Sequence, residues 1–204
     1  MLHPLTTKKA TGERGRLDAE AWLDAAFRVL AKHGIEAVRI EPLAKSLHVT
    51  KGSFYWHFKD RPALLVAMLQ AWRQRATLRV IERMERGNEP PGDRLRQLLA
   101  LPRRRSSSAR DGADVEAAIR LWGRSDAHAA KAILDIDRLR LGHITSLLES
   151  ADDKPHRAAR ATLLYCLMLA QASIGSALDP EASAQCETLL LDWPAPGTAA
   201  QRIT

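Results

Sequence analysis

Apolar residues recur along the chain at spacings of three and four. No run alternates apolar and polar residues, so the pattern predicts helices and no strand. Residues 1–16 are polar and basic, with Lys8, Lys9, Arg14 and Arg16 among Thr and Gly, and read as a mobile arm. From Asp18 onward, Trp22, Ala26, Val29 and Leu30 share one face, and Gly34 follows His33 as a glycine follows a helix end. That predicts a helix over 18–33. Ile40, Leu43, Ala44 and Leu47 make a second, short helix, with Pro42 in its first turn, where amides have no intrahelical partner. Thr50 reads as the N-cap of a third helix over Lys51–Phe58, and Asp60 as the N-cap of a fourth over 61–86. Pro62 falls in the first turn of the fourth, and Leu64, Leu65, Met68 and Trp72 form its buried stripe. Further helices are expected over 91–101, 113–124, 126–149, 155–178 and 180–191, making about nine in an all-α fold. Pro102–Gly112 reads as a basic, Ser-rich loop, Ser125 or Asp126 as a cap, and Asp179–Pro180 as a restart.

Composition narrows the class. The chain has 204 residues, 46% apolar and 27% charged, which suits a packed soluble fold. Its net charge of +7 favours an acidic partner, nucleic acid being the commonest. Residues 1–60 hold ten Lys or Arg against seven acids, so charge alone does not locate the contact. No apolar run is long enough to span a membrane, and the N-terminus lacks the apolar stretch of a signal peptide. Cys166 and Cys186 are too few for a disulfide framework and are expected to be buried thiols, which fits a reducing, cytoplasmic location. The His and Cys residues lack zinc spacing, no Gly-rich phosphate loop is present, and no nucleophile–base set stands out. The expectation is therefore a protein without cofactor or metal that is not an enzyme.

The second and third helices are short and closely joined, the geometry of a helix-turn-helix whose second member fits the DNA major groove. Lys51 and Ser53 lie at its N-terminus, where side chains reach base edges and amides favour phosphate. Tyr55, Trp56 and His57 add bulky groups with polar tips, and Lys59 and Arg61 extend the positive edge. Phe54 and Phe58, four apart, face the core together.

The runs Trp22-Leu-Asp-Ala-Ala-Phe-Arg-Val-Leu-Ala-Lys-His-Gly34, Ile40 to Ala44, Val49-Thr-Lys-Gly-Ser-Phe-Tyr-Trp-His-Phe-Lys59 and Ala63-Leu-Leu65 resemble TetR-family regulators. The resemblance covers residues 18–66 without a gap; the rest matches only in helical layout. It implies three parts: the arm at 1–16, a three-helix DNA-binding domain over 17–61, and a helical ligand-binding and dimerisation domain over 62–204. It also implies DNA contact by Thr50, Lys51, Ser53, Tyr55, Trp56 and His57, with Lys59 or Arg61 on phosphate. Trp56 could equally pack inward. Two positions depart from the family pattern. His48 stands where the turn usually has Gly, and a left-handed backbone suits His less well. Arg39 replaces the usual Thr cap of the second helix, which removes about 1 kcal/mol of capping but adds a cation expected to touch a phosphate.

The 155–178 helix is apolar on two sides, one with Leu163, Leu167, Ala170, Ile174 and Leu178, the other with Ala161, Tyr165, Met168, Ala172 and Gly175. Such a helix needs two partners, its own core and, by expectation, the same helix of a second subunit. Cys186, Leu189 and Leu190 join that dimer face, and the family's four-helix dimers agree. The alternative is a monomer that buries both sides. The resemblance also implies a ligand pocket among the fourth to eighth helices, with Trp72, Trp122, His143, Tyr165 and Met168 as candidates by placement, although ordinary core explains each as well. Asp137 and Arg140 read as an i,i+3 pair, with Arg140 also a candidate polar contact for a ligand.

The resulting expectation is a dimeric repressor on a palindromic operator, with half-sites about 34–36 Å apart, released by a small-molecule effector through the fourth helix. The rival readings are a ligand carrier or enzyme with a vestigial helix-turn-helix, and an activator or ligand-independent repressor of the same type.

Overall fold

The computed structural model describes residues 18–102, 107–148, 156–174 and 177–192. The expected arm at 1–16 lies outside them. The described residues form helices α1 (Ala19–His33), α2 (Ile40–Ser46), α3 (Lys51–Phe54), α4 (Arg61–Arg73), α5 (Arg79–Glu85), α6 (Pro91–Leu99), α7 (Ser107–Trp122), α8 (Ala127–Leu147), α9 (Arg157–Ile174) and α10 (Pro180–Leu191). A π-helical turn, Gln74–Leu78, joins α4 to α5 without a break, so together they make the single long helix expected over 61–86. No strand occurs among the described residues.

Local chemistry sets most of the ends. Asp18, Asp60 and Asp126 each accept the amide three residues on, at 2.8–2.9 Å, and Asp179 accepts two amides of α10. Gly34 stops α1 at φ 77°. Two starts differ from expectation. Thr50 has the extended backbone of an N-cap, but its hydroxyl makes no capping bond. The loop expected over Pro102–Gly112 is already helical from Ser107, because the Ser-rich stretch begins α7.

Two cores hold the chain. The first joins Trp22, Leu30, Val38, Leu43 and Phe54 to Leu64, Met68 and Trp72 of α4, and on to Ile119 and Ile136 of α7 and α8. The second gathers Met84, Leu95, Leu99, Ile144, Leu164 and Tyr165 around α6, α8 and α9. The first core therefore crosses the boundary placed at 61/62: α1 lies along α7, and the helix-turn-helix is fused to the larger domain by packing.

The turn between α2 and α3 contains His48 at φ 56°, the only non-Gly residue with positive φ among the described residues. Its exposed side chain offers little to offset the left-handed backbone. His48→Gly is expected to raise stability by up to about 1 kcal/mol, since relief of strain exceeds the added unfolded-state entropy. Chemical denaturation checks this; a loss of stability would mean that the imidazole makes a compensating contact.

Candidate nucleic-acid interface and adjoining pocket

α3 is one turn long, shorter than the helix expected to reach Phe58. The reason is visible in the backbone: the Phe54 carbonyl accepts both His57 N (2.9 Å) and Phe58 N (3.0 Å), which tightens Tyr55–His57 into a turn. Phe54 is wholly buried and meets Trp22 edge to face, with ring centroids 5.3 Å apart. Phe58 is buried beside it at 5.4 Å. With those rings inward, Thr50, Lys51, Tyr55, Trp56 and Lys59 lie on the exposed side, and Ser53 and His57 are half-buried. Trp56 is 75% exposed and Tyr55 52%, which places Trp56 on the surface instead of in the core. Large aromatic groups held open to solvent on a short, rigid element suit contact with another molecule.

The charges on this face are partly committed. Lys51 pairs with Glu41 of α2 at 2.5 Å, and the hydrogen bond from Lys51 holds the Glu41 carboxyl below its ordinary pKa. Both side chains are exposed, so an incoming phosphate gives up little by taking Lys51. Arg39 is exposed and donates from Nε to the Glu36 carbonyl at 3.0 Å, which leaves its terminal nitrogens at the surface. Arg61 departs from its expected place on the positive edge. Its Nε donates to Val38 O (2.7 Å) and its Nη2 to Ile35 O (2.9 Å). It staples the α1–α2 loop to α4, adding a second donor to the Ile35 carbonyl, which also accepts the Val38 amide at 3.1 Å.

A cavity of about 650 Å³ opens between α5, α6, α7, α8 and α9. Arg140, His143, Tyr165 and Met168 line it. Trp72 and Trp122 do not; both are buried in the first core, and Trp122 borders a separate groove between α1 and α7. Trp72 packs beneath the cavity floor, its ring centroid 5.9 Å from the Arg140 guanidinium carbon.

The floor is a charged network that local sequence did not reveal. Arg140 does not pair with Asp137, its neighbour three positions back. Its Nη1 and Nη2 grip both oxygens of Glu116 (2.7 and 2.9 Å), its Nε donates to Thr77 Oγ1 (3.0 Å), and Nη1 and Nη2 reach Tyr165 Oη and Ala76 O (both 3.3 Å). Asp137 instead takes Arg120 (2.6 Å) and the Tyr165 hydroxyl (2.6 Å), and Arg120 also donates to Glu116 (2.9 Å). Two cations and two anions thus balance across α7 and α8. Burial would raise the Glu116 and Asp137 pKa values, but the two guanidiniums win and hold both carboxyls below their ordinary range. Burial lowers the His143 pKa below its ordinary value, which disfavours the charged imidazolium.

Arg140 also reaches the π turn. Its side chain donates to the Ala76 carbonyl and the Thr77 hydroxyl, so the turn's irregular backbone is held against the cavity floor. On the other side of the same turn, Arg75 pairs with Glu20 and Asp24 of α1 and stacks over Phe27 at 5.5 Å. The turn is therefore tied inward to the cavity floor and outward to the helix-turn-helix unit.

α9 and α10 carry the remaining candidates. Arg160 donates to the Leu190 and Leu191 carbonyls (3.0 and 2.7 Å), and buried Gln171 donates to Glu187 (3.0 Å), which fixes α10 on α9. Ala161, Tyr165 and Met168 face the second core, so the other stripe points outward. Leu163, Ile174 and Leu189 are 48%, 52% and 68% exposed; Leu167, Ala170 and Leu178 are half-buried. Leu190 differs, because it packs on the second core with Leu191. Cys166 and Cys186 are exposed, not buried, since each lies on the outward side of its helix. Among the described residues no helix is long and apolar enough to cross a membrane, and no group of His, Cys, Asp and Glu is placed to hold a metal.

Comparison with known proteins sets these features in a family context. Residues 23–68 match the model for bacterial regulatory proteins of the tetR family. The chain is 31% identical over 80 residues to a probable acrEF/envCD operon repressor of Escherichia coli strain K12, covering 38% of this chain and 35% of that one. It is 38% identical over 53 residues to the class D tetracycline repressor protein of Escherichia coli, covering 26% of this chain and 24% of that one. The matches span from 20% to 35% of the curated relatives' own length. A transcriptional regulator from Rhodococcus sp. RHA1 shares the fold at a TM-score of 0.66 and 21% identity, over 86% of this chain and 94% of that chain.

Proposed function

We propose that this chain, tetR-like over its N-terminal region, is a DNA-binding transcriptional regulator that works as a homodimer on a palindromic operator. The observation that carries the reading is the exposed face made by Thr50, Lys51, Tyr55, Trp56 and Lys59 on a buried Phe54–Phe58 base. The aromatic tips and Ser53 read base edges, while Lys51, Lys59 and Arg39 hold phosphate. The outward stripe of Leu163, Leu167, Ala170, Ile174 and Leu178, with Cys186 and Leu189, meets the same face of a second copy. The repressor role follows the named relatives, which are repressors.

The cavity binds a small-molecule effector, and the π turn transmits its presence. A ligand that prefers one setting of the Arg140–Ala76–Thr77 contacts shifts Arg75 and, through Glu20 and Asp24, the angle of the DNA-binding unit. Operator affinity then changes by the ligand's differential affinity for the two settings.

The test is a gel shift with DNA from upstream of the chain's own gene, repeated over a range of salt. Retention of that DNA against competitor, weakening with salt, supports the reading; turnover of a substrate without DNA binding favours the enzyme or carrier. The two arginines are expected to separate. Arg39→Ala lowers the slope of log affinity against log salt by about one for each phosphate that the arginine neutralises. Arg61→Gln leaves that slope unchanged and instead lowers stability by about 1–3 kcal/mol, by removing the side-chain donor of the Val38 carbonyl and one of the two donors of the Ile35 carbonyl.

A further inference from the structure

Arg140, on the cavity floor, has no hydrogen-bond donor to spare. All five N–H groups of Arg140 are engaged, on Glu116, Thr77, Ala76 and Tyr165. The Tyr165 hydroxyl donates to Asp137 and accepts from both arginines. Arg75 borders the cavity, but its charge is matched outside it by Glu20 and Asp24. Burial holds the His143 imidazole below its ordinary pKa, which disfavours its cationic form, and its buried Nε2 has no hydrogen-bond partner among the described residues. Arg83 on α5 is different. It lines the same cavity, is exposed, and has no acidic partner among the described residues. Among those residues the cavity thus combines a balanced floor, walls that include Val80, Ile81, Leu98 and Ile144, and one uncompensated cation at the rim.

We propose that the effector is a small apolar molecule carrying a single anionic group, with its apolar body against these walls and its anion on Arg83. The inference rests on the reading of the cavity as an effector site. Charge complementarity selects the class. A cationic ligand meets Arg83 as a like charge, and Glu116, the only carboxylate among the described residues that line the cavity, is held by two arginines. A neutral apolar ligand fits the walls but leaves Arg83 unused. The volume of about 650 Å³ is of the size that small-molecule sites occupy.

The experiment compares three probes with one tail and different heads: octanoate, octanol and octylamine. Each is titrated by calorimetry into the full chain at pH 7, and into Arg83→Gln. Because Arg83 is exposed, the variant is expected to fold normally. Octanoate is expected to bind at least about tenfold more tightly than octanol, and octylamine more weakly than either. In Arg83→Gln the acid preference shrinks to within about twofold while octanol binding stays the same. Equal binding of octanoate and octanol to the unaltered chain overturns the acid class and leaves the cavity reading standing. An acid preference that persists in Arg83→Gln overturns the placement on Arg83. No binding by any probe removes the cavity reading itself, and this inference with it.

Discussion

Tyr55→Ala and Trp56→Ala are each expected to weaken operator binding by about thirtyfold or more, roughly 2 kcal/mol, with a larger loss when both are made. Trp56 is three-quarters exposed, so its loss removes little from the fold, and thermal unfolding is expected to shift by less than about 0.5 kcal/mol. Tyr55 meets Phe54 edge to face at 5.3 Å, and its truncation adds about 0.5–1.5 kcal/mol of lost stability. Affinity and stability therefore separate for Trp56 and partly couple for Tyr55. Fluorescence anisotropy with labelled operator, beside thermal melts, reads both. Unchanged affinity in the Trp56 variant would remove that residue from the interface. In the proposed two-fold dimer each side chain is presented twice, so every substitution acts at both half-sites.

The second large effect lies in the cavity floor. Glu116→Leu is expected to destabilise the chain by about 3–5 kcal/mol, because Arg140 loses the carboxylate that grips it while staying largely buried. Glu116→Leu with Arg140→Met together is expected to recover part of that loss, since apolar groups of similar volume replace a desolvated pair. Denaturant titration of the two single variants and the double variant gives the coupling directly. Additive losses would mean that the pair contributes nothing specific. The same network sets the acid limit. Glu116 and Asp137 have pKa values below their unfolded ones, so their contribution is complete above about pH 5 and is lost as pH falls through the lowered folded values. Glu116→Gln is expected to be less stable at pH 7 and to have a flatter stability profile on the acid side. A profile as steep as the parent's would place the titration elsewhere.

Much of the fold was legible in the sequence because its causes are local. An aspartate before an apolar stripe caps a helix wherever it stands, and Asp18, Asp60, Asp126 and Asp179 all do so. The inward turn of Phe54 and Phe58 follows from their spacing, whereas the left-handed backbone at His48 was foreseeable through the family resemblance, whose turn usually has Gly there. The length of α3 was not legible. It depends on how the Phe54 carbonyl shares two amides while the chain turns toward Asp60.

The cavity floor was least legible. Arg140 and Asp137 look like partners on one helix, yet each finds a better one across an interface. Glu116 and Arg120, four apart on α7, carried a signal for a helical ion pair but none for their meeting with α8. The i,i+3 pairing between Asp137 and Arg140 would have been worth only a few tenths of a kcal/mol, too weak to hold against bidentate, partly buried alternatives. Arg61 shows the same contrast: as a charge at the end of a basic run it suggested phosphate, but the Val38 and Ile35 carbonyls of the α1–α2 loop took its donors.

By itself, then, the sequence determined most of the helices, their aspartate caps, the helix-turn-helix and its two inward rings, all consequences of periodicity and bonds a few residues long. Tertiary structure decided which stripe of α9 turns outward, which cations at the cavity are matched by acids, and where the long fourth helix loosens into a π turn. Arg140 reaches that turn at Thr77, 63 positions away in sequence. Interactions of that range depend on which helices pack together, and only the packed chain states them.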